Sequence, residues 1–342
     1  MFGGKNIEFE TVLTLENIPE NAEDFLRSPN DIAIDERGNF YILDLVSATI
    51  FRWDHEGKFK GKLGKKGDGP GEFTFFSNVG GPQGYVSAGS NELYVYDGAK
   101  KTVSIFSYDG TFKSAIPFQT ARGRTEIFRV LKNNDFLIFN SSYFSETPYR
   151  RVGAYNRDGS LIRQFGEVED KTWYYSSKNG RRQVVLRPYA TSLFMGYNGV
   201  RDQILMGDSS KTSFDILDHR GELIKTVSFK WVRQELTKED RQEFQEQNWF
   251  KNQNFFTVDF PEEKAFYTHI YPVGDRGYLV FLQSVSYNDC NGIMIDPEGA
   301  VLGKFDLHCG LGGGLFGVRE QVVAITTNED DEFQVQVLRP KI

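Results

Sequence analysis

The amino-acid sequence predicts an all-β fold, a six-bladed β-propeller built from four-stranded antiparallel blades. The first observation is a turn phrase, Asp-x-x-Gly or x-Asp-Gly, that separates apolar strands and returns at intervals of roughly fifty residues, as expected for an array of similar supersecondary units. The second is a composition rich in glycine (34) and phenylalanine (30), which suits short strands joined by tight turns and packed through aromatic rings. The five copies of the phrase lie at 54–57, 108–110, 157–159, 218–221 and 296–299.

Composition also excludes several classes of protein. The 342 residues carry a net charge of −7 with an isoelectric point near 5.4, whereas a phosphate-binding surface is normally basic, so nucleic acid is not an expected partner. No apolar stretch is long enough to span a membrane. The N-terminal residues lack the apolar segment of a signal peptide. The chain is therefore either cytoplasmic or an exported mature form, periplasmic or a surface lipoprotein, from which the signal has been removed.

The first repeat shows the predicted blade most clearly. Residues 31–35 alternate as a half-buried strand, 36–39 form a turn, and 40–44, 49–53 and 58–63 supply three further strands. Four antiparallel strands in each repeat is the content of a propeller blade. The same pattern predicts one domain over 1–342, with blades at 31–64, 84–117, 127–166, 193–229, 268–306 and 315–338.

The last repeat ends one strand short. Residues 8–15 are strand-like and precede the first blade, so we expect them to pair beside 333–338 and close the ring, which removes an exposed edge. A helical insertion is predicted at 230–266, between blades four and five. Its helix begins with a capping box from Thr237 to Asp240 and is expected to run to about Asn252.

One stretch carries a resemblance to a known repeat family. Residues 28–44 read Ser-Pro-Asn-Asp-Ile-Ala-Ile-Asp-Glu-Arg-Gly-Asn-Phe-Tyr-Ile-Leu-Asp, and the segments 50–54 and 64–73 follow them. This blade resembles an NHL repeat, and the later blades match the repeat more loosely. The chain is similar to six-bladed NHL-like propellers of many bacterial proteins of unassigned role, often exported. The resemblance implies a binding platform, as in most members, or an enzyme, as in a few.

The enzyme alternative is a divalent-metal-dependent hydrolase or lactonase acting at the central channel. The resemblance to six-bladed lactonases implies a calcium ion held at the starts of the innermost strands, and Asp31, Glu126 and His269 are the candidate ligands there. Asp31 and Glu126 fit such a cage, whereas His269 and the glycines at other equivalent positions depart from the lactonase pattern, which favours a non-catalytic protein without a cofactor. Three further aspartates at strand ends are expected to accept hydrogen bonds from turn amides rather than to bind metal: Asp44, Asp97 and Asp208.

Loop lengths point to one face of the ring as the binding face. The links from first to second strands and from third to fourth strands are short. The long segments are those from a fourth strand to the next blade and some of those from second to third strands, and both kinds emerge on the opposite face of the ring. Tyrosine, tryptophan and arginine dominate binding hot spots. Nine residues of these types in the long segments form the predicted ligand-binding set: Tyr143, Tyr149, Trp173, Tyr174, Tyr175, Arg181, Arg182, Arg187 and Trp249.

The function favoured by these patterns is a non-catalytic propeller that binds a protein, peptide or glycan on this face as a monomer. An alternative is a self-assembling module whose aromatic loops form a subunit interface. Cys290 and Cys309 flank the outer strands of blade five, and they could form a disulfide in an oxidising compartment or remain two thiols.

Overall fold

The computed structural model is a ring of six antiparallel sheets, as the repeats predict. It describes residues 5–19, 25–77, 81–118, 123–142, 148–178, 181–246, 256–282, 289–308, 314–327 and 332–341. In each blade the first strand in sequence lies innermost, next to the central channel, and hydrogen bonds link each strand to the next one outward. The blade strands have the lengths usual for globular proteins.

The first three blades follow one another along the chain. Blade 1 consists of Pro29–Ile34, Phe40–Asp44, Thr49–Trp53 and Phe59–Leu63. Blade 2 consists of Gly84–Ala88, Glu92–Asp97, Thr102–Ser107 and Phe112–Pro117. Blade 3 consists of Arg124–Val130, Phe136–Ser142, Tyr149–Tyr155 and Leu161–Glu169.

The last three blades complete the ring. Blade 4 consists of Leu193–Asn198, Gln203–Asp208, Ser213–Asp218 and Leu223–Ser228. Blade 5 consists of His269–Pro272, Tyr278–Phe281, Asp289–Ile295 and Val301–His308, and the short strand Lys5–Asn6 adds to its outer edge. Blade 6 consists of Gly314–Val318, Gln321–Thr327 and Phe333–Lys341, with Glu8–Thr14 as its outermost strand.

The predicted closure by the N-terminal strand is confirmed. Glu8–Thr14 runs antiparallel to Phe333–Lys341, with Leu13 opposite Val337, and a bulge at Val12 leaves that residue between two registered pairs. The amide of Leu15 then donates to the carbonyl oxygen of Val335 at 2.9 Å. Blade 6 is thus built from both ends of the described chain.

The core consists of six apolar clusters, one between each pair of neighbouring blades. Successive residues of a strand point to opposite faces, so the fully buried strand Phe40–Asp44 serves two clusters at once. Phe40 and Ile42 pack against Val323 and Ile325 of blade 6, whereas Leu43 packs against Val86 and Val95 of blade 2. The contact between blades 6 and 1 shows that the ring is closed.

The repeated turn phrase closes the outer hairpin of each of the first five blades. In blade 1, Asp54 Oδ1 accepts hydrogen bonds from the amides of Glu56 (3.0 Å) and Lys58 (2.9 Å). Asp218 and Asp296 do the same in blades 4 and 5. The glycine of each copy has a positive φ, between 80° and 98°, which glycine adopts at little cost. The phrase repeats because this turn geometry repeats.

The insertion between blades 4 and 5 contains a helix at Lys238–Glu246. The capping box is present, since Asp240 N donates to Thr237 Oγ1 at 3.1 Å and Thr237 N donates to Asp240 Oδ2 at 2.9 Å. The predicted continuation to Asn252 falls outside the described residues. The sequence did not predict a three-stranded sheet in which Trp173–Lys178 pairs with Arg181–Leu186, and Phe256–Val258 lies parallel to the latter.

Candidate binding face and central channel

The two faces of the ring differ as loop length predicts. On the plain face, hairpin turns of a few residues join first to second strands and third to fourth strands, for example 35–39 and 54–58. On the other face, called here the decorated face, lie the connections from second to third strands and from each blade to the next. These include the three-stranded sheet and the helix. The starts of all innermost strands open onto the decorated face.

Buried aspartates organise the base of this face. Asp44 is fully buried and accepts hydrogen bonds from the amides of Arg27 (2.7 Å) and Ser28 (2.5 Å) as well as Ser47 (2.8 Å). Asp97 in the same way ties Thr74 to its own turn, and Asp208 accepts from the Ser210 amide. The prediction that these carboxylates serve turn amides is confirmed. Asp44 and Asp97 fix the entering chain to the second strand and so position the loops above, whereas the half-buried Asp208 binds its own turn.

The connection from blade 1 to blade 2 is structural. Gly67 and Gly71 have positive φ values of 154° and 72°, and the chain turns tightly there. Phe73 is fully buried and stacks on Phe75, with ring centroids 5.0 Å apart. The Glu72 carboxylate accepts from the Gly69 amide at 2.8 Å, so the loop is held by its own residues. The connection is therefore a tight turn whose phenylalanine fills the space between the two blades.

A cavity of about 240 Å³ opens on the decorated face between blades 3, 4 and 5. Its wall combines aromatic rings with hydroxyl groups, one guanidinium and one imidazole. It is lined by Ile127, Phe139, Arg150, Thr172, Tyr189, Ala190, Ser192, Leu193, Phe194, Met195, Ser209, Tyr267, Thr268 and His269.

His269 is the most distinctive group of this cavity. It begins the innermost strand of blade 5 and is exposed to solvent, yet protein surrounds the ring from several sides. This enclosure, together with the nearby Arg150 guanidinium, lowers the pKa of His269 to about 4. Its ring lies 6.3 Å from the Phe194 ring and 6.1 Å from the Tyr271 ring, centroid to centroid. No residue in the described part of the chain forms a hydrogen bond with the imidazole.

Arg150 supplies the positive charge of the cavity. Its Nε donates to Asp170 Oδ2 at 3.1 Å, and that carboxylate is fully shielded from solvent. The guanidinium also lies 5.9 Å from the Phe139 ring centroid. Asp170 is held in turn by donation from the Thr172 amide at 2.8 Å. The buried carboxylate therefore fixes the guanidinium at the cavity wall.

None of the predicted ligand-binding residues that the structure describes is among those lining this cavity, and their roles stay a prediction. Trp173 contacts Phe256 edge-to-face at 5.2 Å within the core of the insertion. Tyr174 donates to Asp259 Oδ2 at 2.9 Å, and Arg187 Nε lies 3.1 Å from the same oxygen. Tyr175 follows in the same strand, half-buried, and Tyr149 lies 4.8 Å from the Arg151 guanidinium at the start of its own strand.

For the remaining four predicted ligand-binding residues, the structure does not describe the side chains. Tyr143 and Trp249 lie outside the described residues. Arg181 and Arg182 begin the second strand of the inserted sheet, where only the backbone is described. The sequence did not predict Arg150 as a cavity residue or Asp170 as its partner, because no motif marks either of them and only blade packing brings Arg150 to the cavity wall that contains His269.

The candidate metal ligands do not fit a calcium ion. Asp31 receives both Nη atoms of Arg129, Nη1 on Oδ2 and Nη2 on Oδ1, each at 2.9 Å, and it also accepts from the Val86 amide at 3.0 Å. Glu126 accepts from Ser141 Oγ at 2.7 Å. Among the described residues no group of three or more His, Cys, Asp or Glu side chains could hold a metal. The oxygen-rich cage that calcium requires is not assembled from Asp31, Glu126 and His269.

Two further predictions concern the cysteines and the membrane. Cys290 is half-buried against the cluster between blades 5 and 6, whereas Cys309 lies outside the described residues, so their pairing stays a prediction. In the part of the chain that the structure covers, no helix is both long and apolar enough to cross a bilayer.

Comparisons with known proteins agree with the architecture. Residues 5–147 match the family model DUF5128, described as a 6-bladed beta-propeller. No curated protein matches the sequence. Two solved structures have a similar fold with a TM-score of 0.56. One, from Bacteroides fragilis and named as an exported protein, is 14% identical, with 98% of this chain and 96% of that chain covered. The other, a DUF4221 family member from Bacteroides vulgatus, is 12% identical, with 98% and 99% covered.

The predicted six-bladed fold is thereby confirmed, as is the resemblance to bacterial propellers of unassigned role. At these identities the structural likeness concerns the fold alone. The chain is similar in sequence over residues 5–147 to a family described as six-bladed β-propellers, and in fold over nearly its whole length to the two Bacteroides proteins.

Proposed function

We propose that the protein is a non-catalytic binding propeller that takes part of a protein, peptide or glycan into the cavity on its decorated face. The observation that carries the proposal is the His269 imidazole, which faces the cavity without a hydrogen-bond partner among the described residues. A neutral imidazole offers one donor and one acceptor. A solvent-accessible imidazole in a concave site, free of protein partners among the described residues, is available to a ligand that replaces the water bonded to it.

The rest of the wall supports a polar ligand with an apolar face. Hydroxyl groups of Thr172 and Ser209 lie beside the aromatic rings of Phe194 and Tyr267. Such a mixture suits a sugar ring or a polar side chain, which present both kinds of surface. The Arg150 guanidinium is already paired with buried Asp170, so it adds a directed donor rather than a large excess of charge. A cavity of about 240 Å³ has room for one such group, not for a whole macromolecule.

The inserted sheet would enlarge the contact beyond the cavity. Its strands Trp173–Lys178 and Arg181–Leu186 lie between Thr172 and Tyr189, both of which line the cavity. A longer peptide or oligosaccharide anchored in the cavity would pass along this sheet, where the predicted tyrosines and arginines lie. We propose that the protein acts there as a monomer, and that it is exported like the B. fragilis protein with the same fold.

The test compares His269→Ala with a matched control, His55→Ala. His55 is an exposed histidine in an outer turn on the plain face. Each variant and the unmodified protein are applied to immobilised glycan arrays and random peptide arrays. We expect a bound class whose signal falls about fivefold or more in His269→Ala, since a ligand hydrogen bond contributes about 1 kcal/mol, and which His55→Ala leaves unchanged. Equal binding by all three proteins, or no binding to either array, would overturn the proposal.

A further inference from the structure

The opposite end of the central channel contains a strained turn. Gly314–Val318 and Gln321–Thr327 form a hairpin in which Val318 pairs with Gln321, so Arg319 and Glu320 alone make the turn. Their φ values are 47° and 64°. Two-residue turns with both φ values positive strongly favour Asn and Gly. Other plain-face turns obey this preference at Gly38, Asn134 and Asp202, whereas this turn places two long charged side chains in the left-handed region.

Hydrogen bonds to the Glu320 carboxylate hold the turn in this conformation. Its Oε1 accepts from Asn198 Nδ2 at 2.8 Å and from Arg201 Nε at 2.5 Å, both in the inner hairpin of blade 4. Arg201 pairs in addition with Asp275 of blade 5. The Arg201 guanidinium of blade 4 thus ties together blades 5 and 6 through the carboxylates of Asp275 and Glu320. Backbone strain that surrounding contacts maintain in this way is a recognised mark of functional sites.

Arg319 has no comparable structural role. Within the described ranges its guanidinium forms neither a hydrogen bond nor an ion pair. The side chain is half-buried and lines a small cavity at the plain-face end of the channel. The turn therefore places the Arg319 guanidinium at the channel mouth. None of its five N–H donors bonds to the described part of the protein.

Three cationic side chains line the same cavity. They are Arg129, Lys132 and Arg319, and Glu36 is the one carboxylate among the described lining residues. The Arg129 charge is matched by Asp31. The Lys132 ammonium donates to the carbonyl oxygen of Val200 at 3.0 Å, and Asp202 lies beside it, accepting from the Lys132 amide at 3.3 Å and from the Tyr197 hydroxyl at 2.7 Å. Arg319 is thus the lining cation that has no carboxylate partner within the described ranges.

The size of the cavity limits what it can hold. Its volume is about 50 Å³, on a scale on which one water needs roughly 10–15 Å³. That volume admits a few water-sized groups, such as the oxygens of a phosphate or a carboxylate. We propose that the plain-face end of the channel is a binding site for a small oxyanion, with Arg319 as its principal ligand and Glu320 as the residue that positions the turn. The anion is either free in solution or the terminal carboxylate of a peptide.

The experiment uses titration calorimetry at low ionic strength with inorganic phosphate, acetate, and a short peptide with either a free or an amidated C-terminus. Arg319→Gly removes the guanidinium and also relieves the positive φ, so the variant is expected to fold at least as stably as the unmodified chain. Arg319→Lys retains the charge. Arg220→Gln is the matched control, because it removes an exposed cation from another plain-face turn.

We expect the unmodified protein to bind at least one of these oxyanions. Arg319→Gly should lower that affinity about tenfold or more, as for loss of a charged hydrogen bond. Arg319→Lys should retain part of the affinity, and Arg220→Gln all of it. Binding of the free-terminus peptide but not the amidated one identifies a chain end as the anion source, whereas binding of phosphate alone identifies a free ion. No binding of any probe, or equal affinity of Arg319→Gly, would overturn the proposal.

Discussion

Asp31 and Arg129 lie 98 residues apart and form a two-pronged ion pair, with both N–O distances 2.9 Å. Asp31 belongs to the innermost strand of blade 1 and Arg129 to that of blade 3. The strand between them belongs to blade 2, and its Val86 amide donates to the same carboxylate. Asp31 is only 3% exposed, so one buried carboxylate joins three blades at the channel wall.

Removal of one partner should cost more than removal of both charges. Arg129→Met leaves a buried carboxylate unpaired, and we expect it to lower the free energy of unfolding by about 3 kcal/mol. Asp31→Asn in the same background should recover about 1 kcal/mol or more, because the uncompensated charge is gone. Urea unfolding of the four proteins in this cycle measures the coupling. Costs that simply add would contradict a coupled pair.

The same cycle has a pH signature. Burial raises the pKa of Asp31, and the Arg129 guanidinium opposes that rise. In Arg129→Met the opposition is lost, so the folded-state pKa should rise further above the unfolded value of about 3.9. The folded state then binds the proton more readily than the unfolded state. The variant should therefore lose stability as pH increases from about 4 through the raised pKa, more steeply than the unmodified protein.

This ion pair also shows how far the sequence predicts the molecule. The strands, turns and closure of the ring follow from period-two alternation and from local turn chemistry, as in Phe40–Asp44 and at Asp54, and such signals lie within a few residues of each other. Asp31 was predicted as a calcium ligand because its position on the strand was visible, but its partner was not. Which side chain meets it depends on packing between blades, and no local pattern encodes that.

The inserted sheet escaped prediction for a similar reason. Its strand Phe256–Val258 pairs with Arg181–Leu186, which lies about seventy positions earlier in the chain. Parallel pairing at that distance leaves no hairpin signal in the sequence. The aromatic residues near it were visible, yet the same residue types serve binding surfaces and small cores. Phe244 is buried within the insertion, and Trp173 packs against the same cluster.

His269 should remain neutral well below the usual range of histidine. Enclosure by protein and the Arg150 charge lower its pKa to about 4, compared with about 6.5 in an unfolded chain. Between these values the unfolded state binds the proton and the folded state does not, so the free energy of unfolding should fall as pH decreases from about 6.5 to 4. His269→Ala should flatten this dependence. An NMR titration of the four histidines, assigned with that variant, measures the pKa directly, and titration of His269 near 6.5 would mean that neither enclosure nor Arg150 acts on the imidazole.

Trp173→Ala should loosen the insertion without opening the ring. Trp173 packs on Phe256 and is half-buried, so we expect a local cost of about 2 kcal/mol, below the 3–5 kcal/mol of a fully buried aromatic. Hydrogen exchange should accelerate in Trp173–Lys178 and Arg181–Leu186 while the innermost blade strands keep their protection. Tyr174→Phe is the control, since it removes only the hydroxyl bonded to Asp259. Loss of array binding with unchanged exchange would instead make Trp173 a direct ligand contact.

Alanine substitution of two glycines, one in an outer strand and one in an outer turn, distinguishes the cost of backbone strain from the cost of steric overlap between blades. Gly61 and Gly299 have similar φ values, 101° and 96°, so alanine is strained at either position. A methyl group at Gly61 meets nothing within 4 Å, whereas one at Gly299 would overlap the carbonyl oxygen of Ser228 in the outer strand of blade 4. We expect Gly61→Ala to cost about 1 kcal/mol, as for a left-handed alanine, and Gly299→Ala to cost at least 1 kcal/mol more because the two blades must separate. Urea unfolding of both variants measures the difference, and equal costs would mean that the turn at 296–299 does not rest on blade 4.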